Sequence, residues 1–73
     1  MMEFSVWQER FVTALESAGL AGGQAWRYAE GGDFEEDARK LWKKGYTLDL
    51  AVMHELLGPD CPQFRQRLKA AGR

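Results

Sequence analysis

Residues 33–45, DFEEDARKLWKKG, constrain the fold more than any other stretch of the chain. Asp33 is placed to cap a first helical turn. Glu36, three residues on, can reach back to it, the aspartate version of a capping box. Glu35, Glu36 and Asp37 crowd the first turn, and Lys40, Lys43 and Lys44 the last, as a helix macrodipole prefers. Phe34, Ala38, Leu41 and Trp42 recur at i, i+4, i+7 and i+8, one side of a cylinder. Gly45 then offers the left-handed conformation that closes a helix. The spacing predicts a helix docked by its apolar side, with its ionised side left for other molecules.

A chain of 73 residues is one domain near the lower limit for folding without staples. Three Trp, two Tyr and four Phe compensate, because large rings bury much apolar surface each. A single Cys excludes an intramolecular disulfide, and with one His it cannot complete a four-ligand Cys/His zinc site. No metal or cofactor is expected, and a reducing, cytosolic setting is the default. The opening MMEFSVWQER lacks the basic and apolar blocks of a signal peptide, and no run has the ~18 apolar residues of a membrane helix. With 11 acids against 10 bases there is no general basic field for nucleic acid.

Ser5 is a candidate cap for a first helix, with Gln8 in the reciprocal position. Trp7, Phe11, Ala14, Leu15 and Ala18 mark its inner face, Glu9, Arg10 and Glu16 point away, and Gly19 ends it. FSV at residues 4–6 is also compatible with a short strand. In residues 20–32 two Gly pairs bracket QAWRYAE, which predicts a short helix with Trp26 turned inward and a hinge-like character. Thr47 caps a helix over residues 48–57, ended by Gly58-Pro59. Leu48, Ala51, Val52 and Leu56 form one stripe on it, and Leu50, Met53 and Leu57 a second, which predicts a central place in the bundle or, failing that, one side left for a partner. Asp60-Cys61-Pro62 opens the last helix, with proline in the first turn, and Phe64, Leu68 and Ala71 inward. The expected fold is all-α, a compact bundle of four to five short helices in a single domain.

Enzymatic chemistry finds no footing. Cys61 and His54 lack a third orienting group, and a chain this short can hardly enclose a pocket for them. Glu35, Glu36 and Asp37 are explained by the helix dipole. Gly22-Gly23 is neither a phosphate loop nor a dinucleotide fingerprint. Charge is segregated instead, with acids gathered in residues 30–37 and bases in residues 65–73. Such a dipolar surface can orient a protein partner. Glu30, Asp33, Glu35, Glu36 and Asp37 are the candidate partner-binding residues, with neighbouring aromatics as anchors.

The stretch ARKLWKKGYTLDLAV resembles the first part of many helix-turn-helix domains, where an Ala-x-x-Leu helix leads through Gly-x-Thr/Ser to the next. That resemblance implies a third, basic helix reading the major groove. Here it falls on residues 62–71, with Gln63, Arg65, Gln66, Arg67 and Lys69 as candidate DNA contacts, Gln suiting adenine and Arg guanine. The link LLGPDCP is longer than the motif's tight turn, and the acidic segment would repel phosphate.

In small size, helical character, lack of a catalytic set and mixed-charge surface, the chain is similar to small phage-encoded regulators that bind a bacterial host's RNA polymerase. The resemblance carries no residue-level motif, so it assigns no site residues. It implies a non-enzymatic inhibitor of transcription in the host cytoplasm, blocking by occlusion a polymerase surface needed for promoter or sigma engagement. A helix-turn-helix DNA-binding regulator is the alternative.

Overall fold

The computed structural model describes residues 2–72. Its helices are α1 (Phe4–Ser17), α2 (Gly22–Ala25), α3 (Glu35–Lys43), α4 (Leu48–Leu57) and α5 (Pro62–Ala70), with a 3₁₀ turn at Trp26–Tyr28 directly after α2. No strand occurs among the described residues, and the chain is an all-α bundle, as the periodicities predict.

Residues 4–6 belong to α1. Trp7, Phe11 and Leu15 repeat every four residues, and with Gln8 and Val12 they form its buried face; Ala18 lies outside it, exposed. The Trp7 and Phe11 rings stack with centroids 5.0 Å apart. Against them come Ala38 and Leu41 of α3 and Ala51 of α4, and the two alanines let the backbones approach closely. Phe4, Trp42, Leu48 and Val52 pack against them from the rim. The α3 segment is therefore helical and docked by its apolar side, as expected.

Two helix ends follow the glycine rule closely. At Gly45, with φ of 77°, the Gly45 N–H donates to the Trp42 carbonyl and the Tyr46 N–H to the Leu41 carbonyl, a Schellman closure. Gly19 repeats the pattern onto Glu16 while Leu20 bonds Leu15. Thr47 caps α4 as expected, its Oγ1 accepting from the Leu50 N–H at 3.3 Å.

The other two expected caps are corrected. Helix α3 begins after Phe34 without a side-chain cap. The Phe34 N–H donates to the Arg27 carbonyl and the Glu35 N–H to that of Gly32. A main-chain acceptor thus takes the Glu35 N–H, one of the two donors within reach of an Asp33 cap, and Glu36 lies 3.7 Å from Arg39 instead. Likewise α1 is capped at Glu3 without a side-chain bond. Gln8, expected to reach back to Ser5, is buried elsewhere.

Helix α4 packs against α1, α3 and α5, the central place that its two stripes predict. Of its apolar residues, Leu56 and Leu57 in the last turn are exposed. Helix α5 rests on α4 alone among the helices. Buried Phe64 holds it there, its ring 5.5 Å from His54 and 6.1 Å from Tyr46. Leu68 is half-buried, but Ala71, expected inward, is exposed past the helix end.

The fold-back of residues 27–34 leaves no room for a side chain at Gly32, where a Cβ would overlap the Arg27 backbone. Gly23 meets nothing within 4 Å. Gly32→Ala should therefore lower stability by roughly 1–3 kcal/mol through overpacking. Gly23→Ala should be neutral or stabilise by about 0.4–1 kcal/mol. Urea unfolding of the two variants gives the comparison.

Candidate functional site

The 3₁₀ turn decides what the acidic end of the molecule looks like. With three residues per turn, Ala25 and Tyr28 fall on the same side, and both face the core. Trp26 is thereby rotated out and stands 61% exposed. The expectation that Trp26 packs inward fails for this reason: the inward aromatic of QAWRYAE is Tyr28.

Tyr28 is fastened at three points. Its ring meets Phe11 of α1 edge-on at 5.4 Å and Phe34 at 5.2 Å. Its hydroxyl donates to Glu55 Oε1 of α4 at 2.7 Å. Its carbonyl accepts from Gln8 Nε2 of α1 at 2.8 Å, which explains why α1 carries a buried polar residue. Glu55 also lies 2.5 Å from His54 Nδ1 through its other oxygen. His54 is thus a half-buried packing residue between Glu55, Tyr46 and Phe64.

The expected partner-binding residues emerge from this anchored turn. Glu30, Asp33, Glu36 and Asp37 are exposed and Glu35 is half-exposed. The turn's backbone is fixed, with Gly32 N–H bonded to Ala29, Phe34 N–H to Arg27 and Glu35 N–H to Gly32. Glu35 Oε1 also accepts weakly from the Gly31 N–H at 3.4 Å.

These acids share one end of the molecule but point in different directions. Successive helical residues are rotated by about 100°, so Glu35, Glu36 and Asp37 diverge. Glu36 leans to Arg39, whose guanidinium lies 4.3 Å from the Phe4 ring centroid. Asp37 borders the seam with α4 beside Lys40 and His54. Glu30 lines a groove of about 430 Å³ between α1 and the 3₁₀ turn, where it joins Glu9, Val12, Thr13, Trp26 and Ala29. That groove carries two residues missed by the sequence reading, Glu9 and Trp26. Their convergence depends on the Gln8–Tyr28 bond, which has no local signal.

The candidate DNA contacts on α5 also separate. Arg65, Gln66 and Lys69 line one shallow groove with Pro62 and Leu68, at the i, i+3, i+4, i+7 spacing of a single face. Arg67 is instead ion-paired with Asp49 of α4. Arg65 lies 4.0 Å from Asp60, and Gln63 is exposed without lining that groove.

Cys61 is half-buried and free at the start of α5. Among the described residues, no three His, Cys, Asp or Glu side chains are grouped to hold a metal ion. Nor is any helix among them long and apolar enough to cross a membrane. The fold and site together define a small all-α protein with an anchored acidic turn and a separate basic helix. Comparison with known proteins finds no matching family model, no matching curated protein and no matching solved structure.

Burial raises the Tyr28 pKa well above the ordinary phenol value, aided by the hydrogen bond to Glu55 and the charges of Glu55 and Asp37. A folded-state pKa above the unfolded value means that the contribution is complete below pH ~10 and declines as pH rises further. Tyr28→Phe should destabilise the protein at pH 7 by roughly 1–3 kcal/mol, since it leaves a half-buried carboxylate short of a donor. The gap from the parent protein should narrow steadily above pH ~10. Denaturant titrations at pH 7, 9, 10 and 11 measure it.

Proposed function

We propose that this chain is a small non-enzymatic regulatory protein that binds a protein partner through the carboxylates of residues 30–37. One observation carries this reading: exposed Glu30, Asp33, Glu36 and Asp37 project from a stretch whose backbone is already fixed by main-chain hydrogen bonds. Charges presented from such a frame need little further ordering on association. They steer and orient a basic partner surface even though the net charge is only −1. The likeness to small phage-encoded regulators makes bacterial RNA polymerase the first partner to test. Inhibition would be steric, through cover of a surface required for promoter or sigma engagement, in the cytoplasm of the host.

The alternative, DNA binding through α5, draws on the shared exposed face of Arg65, Gln66 and Lys69. It ranks second because carboxylates neighbour both arginines: Asp49 pairs with Arg67 and Asp60 lies near Arg65.

Tagged protein should co-purify with polymerase subunits from a bacterial lysate and inhibit transcription in a purified system. Asp33→Lys with Glu36→Lys should weaken both about tenfold or more through like-charge contacts. Arg65→Ala with Arg67→Ala should leave both unchanged. Survival of a confirmed complex through the acidic reversal would move the contact elsewhere. The DNA reading requires instead a gel shift of duplex DNA that collapses with salt and is lost in the arginine double variant.

A further inference from the structure

We infer that the groove between α1 and the Trp26 turn receives an arginine side chain of the partner protein. This rests on the protein-binding reading above and names the chemistry of one contact within it. The groove is acidic, because Glu9 and Glu30 line it and no basic residue does. It holds the most exposed large apolar side chain among the described residues, Trp26 at 61%. An indole face left in water beside two carboxylates matches a guanidinium, which stacks on aromatic rings and forks onto carboxylates. Lysine satisfies the charge but neither stacks nor bridges in the same way. Val12 and Ala29 in the same lining offer an apolar surface for the aliphatic stem of the arginine.

The walls are set before any ligand arrives. Buried Gln8, also in the lining, ties α1 to the 3₁₀ turn through the Tyr28 carbonyl at 2.8 Å. Ala25 and Tyr28 root that turn in the core. Arg27, on the same turn as Trp26, has its guanidinium 5.8 Å from the Phe34 ring centroid and is absent from the groove lining.

The test is a titration of the ¹⁵N-labelled full chain with a capped hexapeptide of alternating arginine and leucine. The controls are the same peptide with lysine or with glutamate in place of arginine. The arginine peptide should shift the Trp26 indole N–H and the amides of Val12, Thr13 and Ala29. The lysine peptide should shift them less, and the glutamate peptide not at all. Trp26→Ala should weaken binding roughly two- to thirtyfold, and its circular dichroism should match the parent because the ring is exposed. Glu9→Gln with Glu30→Gln should weaken it further and flatten its salt dependence.

Shifts confined to Asp33, Glu35 and Glu36, with Trp26→Ala binding as the parent does, would overturn the groove while leaving the acidic-surface reading intact. Equal shifts from the glutamate peptide would overturn the charge argument. Absence of any shift at millimolar peptide would overturn the groove, and the polymerase co-purification would then decide the broader reading alone.

Discussion

Tyr28 is the residue on which the arrangement depends. One side chain and its own carbonyl bind three helical segments at once: α1 through Phe11 and Gln8, the entry to α3 through Phe34, and α4 through Glu55. In a chain of 73 residues the hydrophobic core alone supplies only a few kcal/mol of net stability. A polar clasp whose groups are all satisfied adds direction to that core, because each bond tolerates only one relative placement of the helices. No buried side-chain nitrogen or oxygen is left without a partner among the described residues. The acidic turn inherits its position from this clasp, since residues 26–34 hang from it on both sides.

The two charged ends are mechanically distinct. The acidic turn is woven into the α1–α3–α4 core, whereas α5 touches α4 alone and is pinned by Phe64 and the Arg67–Asp49 pair. An exposed pair of that kind contributes about 0–1 kcal/mol, so Phe64 does most of the holding. The acids that neighbour Arg67 and Arg65 lie on α4 and on the link before α5, so the basic helix is tied to its surroundings through its charges as well as through Phe64.

How much of this could be read from the sequence depends on the range of the signals. Helices α3 and α4 were legible because their apolar stripes and terminal glycines, with the Thr47 cap before α4, all lie within one or two turns of each other. Thr47 and Gly45 behave as written. Asp33 does not, because the Glu35 N–H within its reach is met by the Gly32 carbonyl of the folded-back turn, which the Phe34 N–H bond to Arg27 holds in place. Trp26 was misread because seven residues cannot separate a 3.6-residue from a 3.0-residue repeat, and the difference sends a different aromatic inward. The Tyr28–Glu55 bond spans 27 positions, and nothing near either residue announces it. The acidic cluster was visible as composition, but its division among three directions follows from helix geometry, and only the Glu30 limb meets Trp26.

The three tryptophans occupy three different settings. Trp7 is enclosed at 5% exposure and Trp26 stands open at 61%, while half-buried Trp42 donates its indole N–H to the Met2 carbonyl at 2.9 Å. Their emission is therefore graded by depth, and a collisional quencher dissolved in the buffer reaches one indole far ahead of the others. The molecule carries its own optical gauge beside Glu9 and Glu30, with no dye to attach.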